Sequence, residues 1–247
     1  MKYLKTEGLV IRSRSYSEAD KLLTLFTLER GKVPAIAKGA CKAKSKLGAS
    51  VQMFTRGEFF LYMGRTLATV TQSEIKNSFH SLQYDLVKYA YGQYFCELVG
   101  RLMEENEPNR EVYELLLAAF EFLSKEIDAD ILARSFELKL LRILGYMPHL
   151  DGCLACSGLN SSYRLSYKEG GILCQSCSIR DPGAFKISLG TLSLLKKLLY
   201  ADFTRLKVLK VELSQKREIK AINKKFFNHN LGLGTCKSMT FLEELKN

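Results

Sequence analysis

Histidine is scarce in this chain: its 247 residues include only His80, His149 and His229, which lie far apart in sequence. A Ser-His-Asp triad or a histidine-ligated metal site is hard to assemble from so few. The sequence also lacks the phosphate-binding pattern G-x-x-x-x-G-K-[ST] and the dinucleotide pattern G-x-G-x-x-G. We therefore predict that the protein is not an enzyme.

Long apolar runs are missing as well. No segment approaches the roughly 18–20 apolar residues of a membrane span. The first residues, MKYLKTEGLVIRSRSY, have no apolar core of signal-peptide length. The hydrophobic content of 47% is that of an ordinary globular protein. We expect a cytoplasmic protein with no membrane partner, in a compartment where thiols stay reduced.

The positive charge is concentrated in two lobes. The chain carries a formal charge of +11, but residues 1–80 have +8, residues 81–150 have −5 and residues 151–247 have +8. Basic lobes on either side of an acidic middle are more informative than the total, because a polyanion is their natural partner. Charge that only maintains solubility is the alternative. The distribution favours nucleic acid as the ligand.

The pattern of the first 80 residues predicts β-structure. Five short alternating segments follow one another: GLVIRSRSY, KLLTLFTLER, KVPAIAKGA, QMFTRGEFFLYMG and TLATVTQSEI. Glycines mark turns at Gly31 and at Gly64. Five strands in so short a segment predict a small antiparallel barrel, typically an OB-fold, although an SH3-like barrel has the same periodicity.

Helical spacing of apolar residues begins at Ser81. We predict one helix through LQYDLVKYAYGQYFCELVGRLMEE, a second capped by Asn109, and a third capped by Asp128 or Asp130 and ended by Gly145. Further helices follow Ser188 and end near Gly232. The expected architecture is α+β: an OB-fold over residues 1–80 and an all-α domain over residues 81–247, with a cysteine module inserted at residues 150–180.

Four of the seven cysteines form two C-x-x-C pairs separated by 17 residues, and they are Cys153, Cys156, Cys174 and Cys177. This spacing is typical of a zinc site, with a hairpin through residues 168–171 returning the second pair to the first. Four sulfur ligands leave no open position, so we predict a structural Zn²⁺. Two disulfides, or a site without metal, remain the alternatives. Cys96 is expected in the core and Cys41 in an exposed loop.

Eight basic residues of the predicted barrel are candidates for contacts with nucleic acid. Four lysines occupy the glycine-bounded loop AKGACKAKSKLG, two arginines alternate on the first strand, and two more flank an aromatic strand: Lys38, Lys42, Lys44, Lys46, Arg12, Arg14, Arg56 and Arg65. Such cations track a phosphate backbone without reading bases. Rings of that aromatic strand, Phe54, Phe59, Phe60 and Tyr62, offer base-stacking surfaces, but we expect most of them in the barrel core.

Two stretches resemble the RecO family of bacterial DNA repair proteins: TEGLVIRSRSYSEADKLLTLFTLERGKVPAIAKGACKAKSKLG and LRILGYMPHLDGCLACSG. The resemblance covers nearly the whole chain. It implies an OB-fold, a helical domain and a four-cysteine zinc module, in the order already predicted. One departure is Ser157, which stands where relatives often have glycine directly after the second cysteine; we expect it to bend the knuckle little.

The resemblance implies a recombination mediator of the RecFOR pathway, cytoplasmic and associated with the nucleoid. Such a protein binds ssDNA and dsDNA, anneals complementary strands and, with RecR, helps load RecA onto ssDNA coated by SSB. It engages the C-terminal tail of SSB, for which the basic C-terminal helices of this chain are candidates. The alternative is an RNA-binding accessory factor with an OB-fold and a zinc ribbon. A nuclease dependent on the cysteines is a third possibility.

Overall fold

The computed structural model describes residues 2–125, 127–158 and 162–245. The chain forms two compact units: Met1–Glu126 with Thr235–Asn247, and Ile127–Gly234. This division differs from the predicted boundary at residue 80, because the first helices share a unit with the barrel. The predicted domain boundaries themselves stay a prediction, since compactness does not establish which segment folds alone.

The first unit is built on a closed five-stranded barrel. Its strands are β1 Tyr3–Ser15, β2 Lys21–Thr27, β3 Gly31–Ala37, β4 Arg56–Tyr62 and β5 Ala68–Asn77. They close in the order β1-β2-β3-β5-β4, with β1 antiparallel to both β2 and β4 and with β3 parallel to β5. The closed five-stranded order is that of an OB-fold, so the predicted fold is confirmed, and the pairing is antiparallel as predicted except between β3 and β5.

A β-bulge in β1 decides which of its side chains face outward. The register runs from Val10 opposite Leu25 directly to Arg12 opposite Thr24, so Ile11 is the extra residue. Val10 and Ile11 are therefore both buried. Beyond the bulge, Arg12 and Arg14 return to the solvent side of the strand. The shared face predicted for these two arginines is the one observed.

Three consecutive helices follow the barrel, namely α1 Ser81–Tyr84, α2 Leu86–Leu102 and α3 Arg110–Leu123. The prediction of one continuous helix from Ser81 is wrong at Asp85. That residue is extended, and its carboxylate accepts hydrogen bonds from the amides of Val87 and Lys88 at 2.9 and 3.0 Å. Aspartate stabilises a helix better as its N-cap than in its interior, so it starts α2. Asn109 caps α3 as predicted.

The C-terminal helix α7, Lys237–Glu244, belongs to the same unit as the barrel. Glu97 on α2 holds its start: the carboxylate accepts the amides of Lys237 at 3.0 Å and of Ser238 at 2.9 Å. A carboxylate placed on free N–H groups stabilises the beginning of a helix. Helix α7 is therefore anchored on α2.

The second unit combines three helices with a small sheet. The helices are α4 Ala129–Ile143, α5 Leu189–Tyr200 and α6 Leu213–Leu231, and the strands are β6 Tyr163–Ser166, β7 Gly171–Cys174 and β8 Phe185–Ile187. Of the two predicted caps of α4, the structure selects Asp128. The predicted β6–β7 hairpin is present, and β8, which was not predicted, pairs with β6.

A buried polar cluster joins α4 to α6. Arg134 and Glu137 are each 1% exposed, and their side chains pair at 2.9 Å. Asn223 donates to the Glu137 carboxylate at 2.8 Å and to the Arg134 carbonyl at 3.1 Å. A buried ion pair adds little net stability, but removing one partner leaves an uncompensated charge in the core.

We therefore expect Glu137→Ala to lower the free energy of unfolding by about 3–5 kcal/mol. The exposed helical pair of Arg110 and Glu114, at 2.7 Å, provides the control. Glu114→Ala should change stability by less than about 0.5 kcal/mol, because exposed ion pairs contribute little. Denaturant titration of both variants measures the difference, and equal effects would contradict a structural role for the buried cluster.

Candidate nucleic-acid interface and metal centre

The lysine loop, residues 38–46, leaves the end of β3. All four of its lysines, Lys38, Lys42, Lys44 and Lys46, are exposed, and within the described chain none forms an ion pair with an acidic side chain. The loop is ordered by its backbone: Gly39 donates to the Asp20 carboxylate at 2.8 Å, and the Ser45 amide donates to the Lys42 carbonyl at 2.9 Å. A fixed loop thus presents four uncompensated charges.

Arg12 and Arg14 line a cleft of about 650 Å³ in the first unit. Its walls come from β1, β2 and β3 on one side and from α2 and α7 on the other. Sequence reasoning missed three more basic residues of this cleft, Lys32, Arg101 and Lys237. They come from three different elements, so no local charge pattern could have indicated them.

The cleft keeps an excess of positive charge. Five basic residues line it against two acidic ones, Glu97 and Glu105. Burial raises the pKa of Glu97, but hydrogen bonds from Ser238 and Lys237 and the nearby Arg101 outweigh this effect and lower it. Glu97 is consequently ionised and compensated by the start of α7 and by Arg101, 3.5 Å away. The remaining cations make the cleft suitable for an anionic ligand.

Arg56 is placed differently from the other predicted contact residues. Its guanidinium pairs with the Glu7 carboxylate at 2.8 Å, and Lys76 and Tyr113 also donate to this carboxylate. Burial raises the pKa of Glu7, but these hydrogen bonds lower it overall, so the carboxylate stays charged. The positive charge of Arg56 is thus neutralised by an acidic residue of the barrel. Arg65 is exposed on the β4–β5 turn.

The four aromatic residues that were candidates for stacking divide between core and surface. Phe54 and Phe59 are fully buried, Phe59 in the barrel core and Phe54 against Tyr89 of α2 and Phe120 of α3. Two of the four rings are buried, so the expectation that most of them fill the barrel core is wrong. Phe60 is half-buried, and Tyr62 is exposed. Alternation along β4 places Phe60 and Tyr62 on its outer side, opposite to Phe59 and Leu61.

The two C-x-x-C pairs meet in the second unit. The sulfur atoms of Cys153, Cys156, Cys174 and Cys177 all lie within 4.8 Å of one another. Cys156 Sγ and Cys174 Sγ are 3.9 Å apart, far beyond a disulfide bond of about 2.05 Å. A tetrahedral ion bound to sulfur at about 2.3 Å places its ligands about 3.8 Å apart. The four thiols therefore fit a metal ion, and all four are free of disulfides.

The pKa values of two of the four thiols are shifted in opposite directions. Burial raises the pKa of Cys153, but backbone amides of Cys174, Ala155 and Cys156 donate to its sulfur and lower that pKa to about 6. Hydrogen bonds to Cys174 and Cys153 raise the pKa of Cys177 to about 12. Four thiols this close cannot all ionise without a cation. The cluster thus has the chemistry of a cation site.

The other cysteines lie outside this centre. Cys96 is buried on α2, and its burial raises the pKa of the thiol, which confirms the expected core position. Cys41 is exposed in the lysine loop, as predicted. Neither takes part in the four-thiol cluster.

The backbone of the metal centre is held by the hairpin and by one strained residue. The Leu154 amide donates to the Ile172 carbonyl at 2.8 Å, which ties the first knuckle to β7. Ser157 has φ +56°, the left-handed region that glycine favours. The knuckle keeps its turn with serine at this position, as expected. The left-handed backbone of an L-residue costs about 1–2 kcal/mol of folding free energy, which the sequence alone did not indicate.

The barrel with its exposed basic loop, together with a four-thiol centre in a helical unit, defines an OB-fold protein with a candidate structural metal site. The chain belongs to the recombination protein O family: the model of its N-terminal part matches residues 1–79 and that of its C-terminal part matches residues 83–240. It is a family of DNA repair proteins and not of enzymes, as the missing catalytic patterns predicted.

Relatives named DNA repair protein RecO match over most of their length. The protein of Halalkalibacterium halodurans is 35% identical over 243 residues, which are 98% of this chain and 95% of the relative. That of Alkaliphilus metalliredigens is 41% identical over 210 residues, 84% of this chain and 85% of the relative. The predicted family is confirmed. Within the described residues, no helix is long and apolar enough to cross a membrane.

Cys174→Ser should abolish metal binding, because it removes one of four clustered thiolates. We expect the content measured by inductively coupled plasma mass spectrometry to fall from about one ion per chain to almost none. Cys41→Ser, which changes an exposed thiol outside the cluster, is the matched control and should keep the ion. A stoichiometric ion in Cys174→Ser would contradict the four-thiolate centre.

Ser157→Gly should raise the free energy of unfolding by about 1 kcal/mol, because glycine relieves the left-handed strain. The same replacement at Ser193, which lies in the interior of α5, should lower stability by about 0.5 kcal/mol. Denaturant titration of the metal-loaded variants compares them. A loss of stability at both positions would show that the turn carries no strain.

Proposed function

We propose that this chain is a non-enzymatic DNA-binding mediator of repair and recombination. It binds single- and double-stranded DNA, anneals complementary strands and, together with RecR, helps load RecA onto SSB-coated ssDNA. The observation that carries the proposal is the lysine loop, whose four exposed cations have no acidic partner in the described chain. No bond is made or broken in this function.

The contacts follow from electrostatics. Each phosphate neutralised by a lysine or arginine releases condensed counterions, and this favours binding to any sequence. The proposed contact set is the exposed, uncompensated group Arg12, Arg14, Lys38, Lys42, Lys44, Lys46 and Arg65. Arg56 holds Glu7 and is left out of it. Annealing is assisted because the same cations reduce the repulsion between two backbones held close together.

The metal centre supports this function without taking part in it. We infer that the ion is Zn²⁺, since four thiolates in tetrahedral arrangement are its preferred structural ligands. Four protein ligands leave no position for water or substrate. Cys153, Cys156, Cys174 and Cys177 would hold the ion and so fix the knuckles against β7. The small sheet is too short to fold on apolar burial alone.

We further infer that the basic C-terminal helices contact an acidic partner such as the SSB tail. Lys196 forms an ion pair with Asp151, and Lys216 forms one with Asp128. The positive charges of these two lysines are therefore partly neutralised within the second unit. Other basic residues of this region are exposed: Arg205, Lys207, Lys210, Arg217 and Lys224. An acidic peptide complements this surface. A mediator of this kind acts at the nucleoid.

Replacing Lys42, Lys44 and Lys46 with alanine tests the proposal. We expect weaker binding of a single-stranded oligonucleotide, with the salt dependence of log K reduced by about 0.7 for each lost contact, or about 2 in total. Fluorescence anisotropy across a salt series measures this slope. The rate of annealing of complementary strands should fall in parallel.

The triple Lys→Arg variant is the control, because it keeps the charge at each position and should bind and anneal as the wild type does. An unchanged salt slope in the alanine variant would exclude the loop from the interface. Wild-type protein that binds neither single- nor double-stranded DNA would refute the proposed function as a whole.

A further inference from the structure

Two exposed tyrosines face each other where β1 starts and β4 ends. Tyr3 and Tyr62 are register partners on the two strands, with ring centroids 5.2 Å apart and ring planes at 65°. Tyr3 is 70% exposed and Tyr62 is 37% exposed. Both lie on the outer side of the barrel, whose core is already filled by residues such as Phe59 and Leu61. The tyrosine pair therefore contributes little to the barrel core.

Two exposed cations lie close in sequence to the tyrosine pair. Lys2 precedes Tyr3, and Arg65 lies three residues after Tyr62 on the β4–β5 turn. Both are exposed and, within the described chain, neither forms an ion pair with an acidic side chain. The Met63 amide donates to the Lys2 carbonyl at 2.7 Å, which holds the segments carrying these two cations together.

The aromatic surface continues along β4. Phe60, two residues before Tyr62, is half-buried, and Lys5 Nζ lies 5.4 Å from its ring centroid. Glu58, two residues before Phe60 on β4, is paired with Lys5 at 2.9 Å. Two more glutamates, Glu7 and Glu74, are the register partners of Glu58 on β1 and β5, and Glu7 is paired with Arg56 and Lys76. These three acids lie toward the end of the ladder away from Tyr3 and Tyr62.

We propose that the tyrosine pair is a stacking site for the unpaired bases of single-stranded DNA. An exposed ring beside uncompensated cations suits a nucleotide, because the base stacks on the ring while the phosphate meets the cation. The edge-to-face arrangement leaves a face of one ring open to a ligand. This inference rests on the proposed function and extends it.

The tyrosine pair adds a property that the lysine loop lacks. Phosphate contacts are made with single strands and with duplexes alike, whereas a base must be unpaired to stack on a protein ring. The pair and Arg14 are separated by at most about 36 Å along β1, since a strand rises about 3.3 Å per residue. One OB-fold covers about 4–16 nucleotides, so a single strand can reach both. The tyrosine pair therefore adds affinity for unpaired strands and none for duplexes.

The test compares full-length wild type with the double variant Tyr3→Ala/Tyr62→Ala on three ligands of equal length: an oligothymidine, an abasic oligonucleotide and a blunt duplex. We expect the double variant to bind the oligothymidine about fivefold or more weakly, the effect of losing one stacked base. Its affinity for the abasic strand and for the duplex should be unchanged, because both keep the phosphate contacts and neither offers an unpaired base.

Two controls separate stacking from other effects. Tyr3→Phe/Tyr62→Phe keeps both rings and should bind the oligothymidine as the wild type does. Tyr84→Ala removes a tyrosine that is 78% exposed on α1, away from β1 and β4 in sequence, and should have no effect on any ligand.

Equal binding of the oligothymidine by wild type and the double alanine variant would overturn the proposal, as would an equal loss on all three ligands. The first result would leave the patch for a protein partner, and the second would indicate a general effect on the surface. Either result leaves the proposed function standing, provided that wild type binds DNA. A wild type that binds no DNA would refute the proposed function and this inference together.

Discussion

The pairing of one long strand with two others organises the first unit. β1 spans 13 residues and forms antiparallel ladders with β4 in its first part and with β2 in its second part. This double pairing closes the barrel and removes the sheet edges that an open five-stranded sheet would expose. It also sets the position of the functional groups. Tyr3 lies at one end of the strand, and Arg12 and Arg14 lie beyond the bulge at the other.

Ion pairing with acidic side chains distinguishes the cations that stabilise the fold from those that are available to a ligand. Arg56 and Lys76 converge on Glu7, and Arg134 is buried with Glu137. Within the described residues, no lysine of the lysine loop pairs with an acidic side chain, and the Asp20 carboxylate there accepts the Gly39 amide and so orders the backbone. An ordered loop with uncompensated charge loses less entropy on binding phosphate than a disordered one would. This combination makes the loop the natural place for a backbone contact.

The metal centre concerns the stability of the small three-stranded sheet. A sheet of three short strands buries too little apolar surface to be stable, and four converging thiols supply the missing stability once an ion is bound. The strain at Ser157 persists because the knuckle must turn sharply between Cys156 and Gly158. An ion bound at this centre would hold the module in shape.

The sequence by itself determined a five-stranded barrel, the four-cysteine cluster and the exposed lysines, because these depend on alternation, spacing and local composition; the resemblance to a family was needed to choose the OB-fold. Only the tertiary structure decided where distant residues meet. Lys32, Arg101 and Lys237 reach one cleft from three elements, Asp85 ends a helix that periodicity would continue, and Tyr3 joins Tyr62 across a ladder. Periodicity reports which side of an element is apolar, but register and packing bring its side chains to particular partners, and these are properties of the whole chain.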